Sequence, residues 1–413
     1  MQQAMYFRKK ERMIEPWDWV LIIGVTLSPM NYLRIWKVGP GELLCLLWGV
    51  KYLRNILFQS VNSYLTRFWL LFLLVISIGT AYGKIFYPKE TIVSGLLTWL
   101  YFFLMSEGVY VGMREKRPDQ IRQILYWMSV VVSCWYMFLY VYSLTINRFF
   151  FGIRLWFAGV RFSGGGNNPH LMATLIAVVM FFNVYELFEP GTPLWKRILS
   201  ASCIVFCFII SKATKSSTLL VAIIITVLAF LFYKIMKMFT VKRDKWIAFS
   251  IIVIISTLFL GLFWGKLVDG ITEWINEDAN GAGRLQIFKS ISITLKKNWL
   301  VGLGPGIHGL DGYIEYHNSY LEVLAMGGII GFGIFAMFTY RLFQSLSVQP
   351  GMMFALIPIY AYSLAGFSMR RLCFWVVAAT LIAYCEILQN EKAAQKSPEL
   401  KQSPDKRSAQ RSL

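Results

Sequence analysis

The stretch LLVAIIITVLAFLF runs from Leu219 to Phe232 without a single charged residue. Together with its apolar neighbours it is long enough to cross the ~30 Å hydrocarbon core of a bilayer as an α-helix, which takes about 20 residues. Stretches with almost no charge also extend over Phe68–Gly83, Ile121–Ile146 and Ala248–Trp264. The sequence therefore predicts an all-α, polytopic integral membrane protein.

Composition supports the same fold class. Of the 413 residues, 57% are hydrophobic and 15% are charged, which is more apolar surface than a soluble domain can bury. The formal net charge of +19 does not indicate a nucleic-acid-binding protein, because the basic residues form short clusters between apolar spans. Membrane topology explains these clusters, and no nucleic-acid partner is expected.

Hydropathy places about twelve spans along the chain. Their approximate bounds are 18–31, 39–53, 68–83, 91–112, 121–146, 169–188, 198–212, 217–235, 247–264, 319–340, 352–368 and 372–388. With a cytoplasmic N-terminus, most Lys and Arg clusters between the spans fall on the cytoplasmic side, as the positive-inside rule requires. Both termini are then cytoplasmic.

This topology divides the chain into four parts. Residues 1–146 form an N-terminal transmembrane bundle of five spans, and residues 147–345 form a central region. Residues 346–390 contain the last spans, and the polar tail 391–413 is expected to be disordered and to contact anionic lipid headgroups. Inside the central region, two loops are expected on the non-cytoplasmic side, at 147–168 and, between spans 9 and 10, at 265–316. Function is expected in these two loops.

The first loop places two arginines beside a run of glycines. Arg154 and Arg161 precede Gly164-Gly165-Gly166. Glycine lets the backbone approach a ligand closely, and a guanidinium group binds phosphate through paired donors, so the loop is suited to phosphate binding. The alternative is a flexible turn with two arginines anchored at the membrane interface.

The second loop carries a similar pattern. Arg284 follows two glycines, Gly302-Leu303-Gly304-Pro305-Gly306 comes next, and His317-Asn318 stands at the head of a span. Lys215 is expected to emerge on the same side of the membrane. Cations on this side run against the positive-inside bias and suggest an anionic partner, although Lys215 could equally be a span-end anchor.

His317 is the best candidate for a general base. A neutral imidazole can accept a proton from a sugar hydroxyl near neutral pH, although a single histidine at a helix start is more often a cap or a packing residue. Glu322, in the same span, has a functional and a structural interpretation of equal weight. The carboxylates of the second loop lack the spacing of metal ligands, so neither a metal nor another cofactor is expected.

The loop residues resemble a known family, the O-antigen ligases and Wzy-type polysaccharide polymerases of bacterial inner membranes. The most specific match is His317-Asn318, followed after nine residues by Gly328-Ile329-Ile330-Gly331, which is similar to the family pattern H-[NSQ]-x9-G-x-x-[GTY]. Arg161-Phe162-Ser163-Gly164, Arg284 and the glycines at 302–306 add to the similarity. The resemblance covers roughly residues 150–345.

The resemblance implies a GT-C-like architecture and a periplasmic substrate, a glycan linked to undecaprenyl pyrophosphate. It implies that His317 activates the acceptor hydroxyl, with Arg161 and Arg284 on the pyrophosphate and Arg154 and Lys215 as further phosphate ligands. Where relatives often have Ser-Arg-Gly, this chain has Thr214-Lys215-Ser216. Lysine keeps the charge but lacks the paired donors of arginine.

Two reactions are compatible with the resemblance. Arg154, followed after ten residues by Gly165, resembles a pattern of the polymerases and favours polymerisation of repeat units into a surface polysaccharide, with a chain-length regulator as a protein partner. The alternative is ligation of the glycan to lipid A core. A flippase for lipid-linked sugars is less favoured, because the spans lack an internal repeat and paired broken helices.

Overall fold

The computed structural model describes residues 14–31, 38–52, 63–86, 91–239, 284–306, 316–364 and 368–401, together with Gly366 and isolated positions between 241 and 269. Eight helices in this part of the chain are long and apolar enough to cross a membrane. The chain is therefore an all-α, multi-pass membrane protein, as its sequence predicts.

The helices are numbered here in chain order: α1 Asp18–Leu27, α2 Pro40–Val50, α3 Tyr64–Phe86, α4 Thr91–Arg114, α5 Pro118–Thr145, α6 Pro169–Phe188, α7 Leu194–Ala213, α8 Ser217–Met238, α9 Arg284–Lys297, α10 Ser319–Leu346, α11 Pro350–Met353, α12 Ile357–Tyr362 and α13 Leu372–Lys401. A 3-10 turn, Ser368–Arg370, precedes α13. Two short antiparallel pairs lie between α5 and α6: β1 Phe149–Phe150 with β2 Ile153–Arg154, and β3 Trp156–Phe157 with β4 Arg161–Phe162.

The described helices match the predicted spans in order. The eight long helices correspond to predicted spans 3 to 8, 10 and 12, and predicted spans 1, 2 and 11 correspond to the shorter apolar segments Asp18–Leu27, Pro40–Val50 and Pro350–Tyr362. The predicted span at 247–264 lies outside the described residues, apart from isolated positions. The number of about twelve spans stays a prediction.

An aromatic cluster joins α3, α10 and α13 in the core. Phe68 of α3 stacks on Phe338 of α10, with ring centroids 4.3 Å apart, and Trp69 lies 4.4 Å from Trp375 of α13. All four rings are buried. Such aromatic pairs contribute about 0.5–1.5 kcal/mol each beyond the area they bury, so the cluster fixes α10 against its neighbours.

Helix α10 is broken at Gly328, where the backbone adopts φ 59° and ψ −162°. In an unbroken helix the amide of Ile329 would donate to the carbonyl of Ala325, and the amide of Ile330 to that of Met326. Here the two amides donate instead to the carbonyls of Trp299 and Leu300, at 2.9 and 3.2 Å. The two carbonyls freed by the break accept the amides of Leu303 and Gly304, both at 3.0 Å.

The segment 299–304 therefore replaces the hydrogen bonds that α10 loses. About nine residues separate the head of α10 from the break, which places the break ~13 Å along the helix. Broken backbone at such a depth is tolerated in a membrane protein only where other protein groups satisfy it. The predicted periplasmic loop 265–316 thus includes a helix, α9, and a segment that packs inside the bundle.

Glycines make this close packing possible. A Cβ on Gly302 would lie 2.5 Å from the carbonyl carbon of Met326, and one on Gly304 would lie 2.5 Å from Cα of Thr80 in α3. A Cβ on Gly328 would lie 2.4 Å from the backbone of Leu300. By contrast, a Cβ on Gly331 would make ordinary contact with Val75, at 3.6 Å. The first motif glycine of α10 is required by the fold, and the second is not required on steric grounds.

The variant Gly328→Ala should lower the thermal stability of the purified protein. The backbone region at this position is almost confined to glycine, with a cost of roughly 1–3 kcal/mol for other residues, and the added methyl group meets backbone that cannot move away. The matched control is Gly333→Ala in the same helix, where nothing lies within 4 Å of the new Cβ. Equal melting temperatures for the two variants in detergent would contradict the role assigned to the break.

Candidate active site

The head of α10 carries His317 and is joined to the chain before α13. Asn318 caps the helix, because its side-chain oxygen accepts the amides of Tyr320 and Leu321, each at 3.0 Å. The amide of Ser319 donates to the carbonyl of Ser363 at 2.9 Å, and its hydroxyl donates to that of Gly366 at 2.7 Å. The cap and these two bonds fix the backbone beside His317.

His317 itself has a left-handed backbone, with φ 48°, and a half-buried side chain. This conformation is uncommon for a residue with a side chain and is stabilised here by the fixed helix head that follows. Asn318 is thus a helix cap in this structure, and the first two motif residues have separate roles. The cap positions the backbone, and the histidine presents a ring near the bundle end.

A buried ion pair lies beside His317. Nη1 of Arg370 is 3.0 Å from Oε1 of Glu322, whose side chain is only 4% exposed. Arg371 and His317 both lie close enough to Glu322 to interact with it electrostatically. The sequence prediction included Glu322 but missed both arginines. The signal that could have found them was their place before the last span, on the side where the positive-inside rule disfavours cations.

His170 connects the head of α6 to the same end of the bundle. Its ring nitrogen Nδ1 shares a hydrogen bond of 2.7 Å with the hydroxyl of Tyr362, the last residue of α12. Asn168 caps α6 by accepting the amide of His170 at 2.9 Å. Since Ser363 contacts the head of α10, the heads of α6, α10 and α13 lie at one end of the molecule.

Arg161 is held against the end of α7. Its Nε donates to the carbonyl of Thr214 at 2.9 Å, and the side chain is half-buried. Lys215 follows directly, is exposed, and has a left-handed backbone with φ 50°. The structure therefore brings together two of the predicted phosphate ligands, one from the first loop and one from the turn between α7 and α8.

Arg154 lies on the exposed side of the loop, in β2, where it is paired with Phe149. The two ends of its predicted polymerase pattern are nevertheless close in space. Gly165 has φ 90°, and a Cβ on it would lie 3.2 Å from Cγ2 of Ile153, the neighbour of Arg154. The fold of the hairpins alone therefore brings the two ends of the pattern together. This close approach does not depend on which reaction the protein carries out.

One further predicted residue, Arg284, is only partly described. Arg284 begins α9, but its side chain lies outside the described part of the structure. Among the residues that are described, no group of three or more His, Cys, Asp and Glu side chains could hold a metal ion. The role of Arg284 and the absence of a cofactor remain predictions.

Comparison with known families supports the resemblance. Residues 199–336 match the family model described as O-antigen ligase. The match covers less than half of the chain and supports its resemblance to the O-antigen ligase and polysaccharide polymerase superfamily. No curated protein matches the chain.

The matched region contains the broken helix and the segment that packs against the break. It includes most of α7, the turn with Lys215, α9, the segment 299–304, His317 and the break at Gly328. Arg161 and the Arg370–Arg371 pair lie outside the match and reach the same end of the molecule through the contacts given above. The matched region therefore includes both the head of α10 and the segment that satisfies its break.

Replacing Arg161 by Lys should abolish most of the glycan transfer that the resemblance implies, without preventing membrane insertion. Lysine keeps the charge but cannot form paired hydrogen bonds to phosphate or reproduce the bond to Thr214. The matched control is Arg148→Lys in the same loop, where an exposed guanidinium donates to the carbonyl of Gly159 at 3.0 Å. The rate of glycan transfer and the melting temperature are measured for both variants. Wild-type turnover in Arg161→Lys would show that this arginine is only an anchor.

Proposed function

We propose that this protein is a periplasmic-facing glycosyltransferase that transfers a glycan from undecaprenyl pyrophosphate to an acceptor hydroxyl. The observation that carries this proposal is a histidine at the head of a membrane helix, beside a buried carboxylate and two arginines, in a chain of the O-antigen ligase superfamily. A family of this kind acts on lipid-linked glycans. The exact donor and acceptor belong to the proposal.

In the proposed reaction, His317 accepts the proton of the acceptor hydroxyl. The oxygen then attacks the anomeric carbon, and the bond from that carbon to the pyrophosphate breaks with inversion. The electron pair of that bond leaves with undecaprenyl pyrophosphate. No metal is assigned to the reaction. Fixed cations near the leaving group stabilise the negative charge that develops on it.

The cations proposed for this role are Arg161, Arg284, Arg154 and Lys215. Support is strongest for Arg161, because its bond to Thr214 fixes the guanidinium and removes the entropic cost of ordering it when substrate binds. Lys215 lies next to it and adds charge without a fixed geometry. Arg154 is exposed, which suits a contact with the glycan or the membrane surface as well as one with phosphate.

The product is proposed to be a polymer of repeat units, with lipid A core ligation as the second candidate. The polymerase proposal rests on the Arg154 to Gly165 pattern, and the ligase candidate is favoured by the description of the matching family. Both reactions use the same donor and the same leaving group. They differ in whether the acceptor is a second lipid-linked glycan or a lipid A core.

We also propose that the protein lies in the bacterial inner membrane with both termini in the cytoplasm. The cation clusters Lys51, Lys116, Arg117 and Lys234–Lys237 lie near span ends that face away from His317 in this topology, as the positive-inside rule predicts. A chain-length regulator as a protein partner belongs only to the polymerase version of the proposal.

Purified protein is incubated with a lipid-linked repeat unit as the sole substrate and with a chelator, which removes free metal ions. The products should appear on a gel as longer lipid-linked glycans. A ladder that appears only when lipid A core is added, with glycan attached to that lipid, would identify a ligase and exclude the polymerase. Movement of intact donor across a vesicle without any new glycosidic bond would identify a transporter. The last result would overturn the glycosyltransferase proposal.

The variant His317→Asn should reduce the transfer rate by roughly 10²–10⁴-fold, because the amide cannot act as a base. Asparagine is chosen because it tolerates a left-handed backbone, so the fold of the helix head is retained. The control is His170→Asn, which removes a second histidine ring at this end of the bundle and is expected to cost much less. A near-normal rate in His317→Asn would leave this residue with only a structural role.

A further inference from the structure

Hairpin β1–β2 turns back along the outer face of α5. The ring of Phe150 contacts three aromatic rings of that helix, with centroids 5.8, 6.0 and 5.2 Å away, at Trp135, Phe138 and Tyr142. These three residues are three and four positions apart and therefore share one face of the helix. Phe138 is exposed on this face. The chain thus leaves α5 at Thr145 and returns toward the middle of the helix.

The depth of this contact in the bilayer follows from the length of α5. No charged residue occurs between Arg122 and Arg148. A charged side chain is costly in hydrocarbon, so the ~30 Å core lies within this stretch and takes about 20 of its residues. Wherever the core lies there, Phe138 is at least roughly 6 Å inside it, at about 1.5 Å per residue. The ring of Phe150 is therefore at the depth of the acyl chains.

The tip of the hairpin, Phe151-Gly152, projects away from the protein. Phe151 is 90% exposed, although its ring packs edge-on against that of Phe150 with centroids 4.7 Å apart. No atom of the described residues lies within 4 Å of a Cβ added to Gly152. The outer face of α5 beside the hairpin is also apolar and exposed, at Phe138, Val141 and Leu144. The lipid-facing surface of α5 therefore continues onto the hairpin tip.

The turn at the tip is an unusual place for a phenylalanine. Phe151 and Gly152 both have a positive φ, 46° and 78°, as in a type I′ turn. Asparagine and glycine suit such a turn, whereas a bulky side chain is strained there. A ring that is both strained and surrounded by water would be unfavourable twice over, and insertion among acyl chains removes the second cost.

The base of the hairpin carries a positive charge. Arg154 is exposed, is paired with Phe149, and lies two residues from Gly152, which is roughly 7 Å along the strand. An apolar tip with an arginine at this distance matches the boundary between acyl chains and headgroups. The guanidinium group can reach the lipid phosphates while the tip stays in hydrocarbon.

We propose that hairpin β1–β2 inserts into the leaflet on the His317 side of the membrane, with the ring of Phe151 among acyl chains and the guanidinium of Arg154 on a phospholipid phosphate. Membrane lipid is the occupant, because the tip extends a surface that already faces lipid. The loop 147–168 leads directly into α6, whose head lies at the His317 end. Insertion therefore holds Arg161, in the same loop, near the depth of the lipid phosphates.

Spin-label depth measurements test the insertion directly. A nitroxide is attached to Phe151→Cys in a Cys134→Ser background, because Cys134 is exposed and the other five cysteines are buried. The protein is placed in phosphatidylglycerol vesicles without any lipid-linked donor. Collisions of the nitroxide are measured with oxygen, which concentrates in hydrocarbon, and with a nickel chelate, which stays in water. The label at position 151 should collide far more with oxygen than with the chelate.

Two further label sites provide the reference values. Val141→Cys lies on the exposed face of α5, and Ser347→Cys lies in the exposed turn after α10. The label at position 151 should match that of Val141→Cys. A match with Ser347→Cys would place the tip in water. A label that neither reagent reaches would show that protein covers the tip, such as a second copy of the chain. Either of the last two results overturns the proposal.

The contact of Arg154 with lipid phosphate is tested with the same label. In phosphatidylglycerol vesicles, Arg154→Glu should raise the collisions of the label with the nickel chelate, because anionic headgroups repel a carboxylate. Arg154→Lys should keep the depth of the label, since lysine also reaches the headgroups. An unchanged depth in Arg154→Glu would contradict the contact with phosphate. Because no donor is present, phospholipid is the source of the phosphate.

Under the proposed function, on which this expectation rests, Phe151→Asn should raise the KM for membrane-embedded donor by roughly 10-fold. The loop with Arg161 then lacks the burial of one aromatic ring that holds it at phosphate depth. Asparagine suits the turn, so the hairpin keeps its shape. Phe151→Trp should restore the KM. The matched control is Ala158→Asn, which places asparagine before Gly159 in a second left-handed turn and removes no ring.

Insertion and glycan transfer fail in different ways. If the label at position 151 lies in hydrocarbon but the wild type forms no glycosidic bond, the insertion stands and the reaction is wrong. If the wild type transfers glycan and the label lies in water, the reaction stands and the insertion is wrong. A wild-type KM in Phe151→Asn, with the label in hydrocarbon, would show that the inserted tip does not position the donor site.

Discussion

The backbone groups of a membrane protein must find partners inside the protein, because hydrocarbon offers none. Helix α10 meets this constraint in an unusual way. Its break at Gly328 frees the carbonyls of Ala325 and Met326 and the amides of Ile329 and Ile330, and the segment 299–304 satisfies all four. The segment and the broken helix are stable only together, since either alone would leave four polar groups without partners at this depth.

The need to satisfy the broken helix also fixes the position of the candidate site. The segment 299–304 holds the first half of α10 against α3, where Gly79 and Thr80 approach its backbone closely. The head of that half-helix is fixed a second time by Asn318 and Ser319, which bond to the segment before α13. His317 is therefore attached to a short helix held at both ends. Such a support suits a residue that must meet a substrate with little reorganisation.

The motif His317-Asn318-x9-Gly328-x-x-Gly331 consequently combines two kinds of residue. His317 is the proposed catalytic residue, whereas Asn318 is a cap and Gly328 is a backbone requirement. The nine intervening residues form the half-helix between the cap and the break, so their number sets its length. In physical terms the motif specifies how far the histidine lies from the point where the helix is anchored, which explains why its spacing carries as much information as its residue types.

The sequence by itself determined the features that depend on local composition. Apolar stretches such as Leu219–Phe232 predict membrane helices because the bilayer thickness sets their length, and the described helices follow that prediction in order. The resemblance to the superfamily could also be recognised from the spacing after His317, and the family match at residues 199–336 supports it.

Tertiary structure decided the features that depend on contacts between distant residues. The bond from Arg161 to Thr214 joins residues 53 positions apart, and the pair of Arg370 with Glu322 joins residues 48 positions apart. No periodicity or local spacing encodes such contacts, so Arg370 and Arg371 were missed. The glycines at 302–304 lie in a loop where function was expected. In the fold they let the chain approach the broken helix, which the amides of Leu303 and Gly304 satisfy. The presence of glycines indicates that another group approaches the backbone closely. Only the fold shows that this group is another helix.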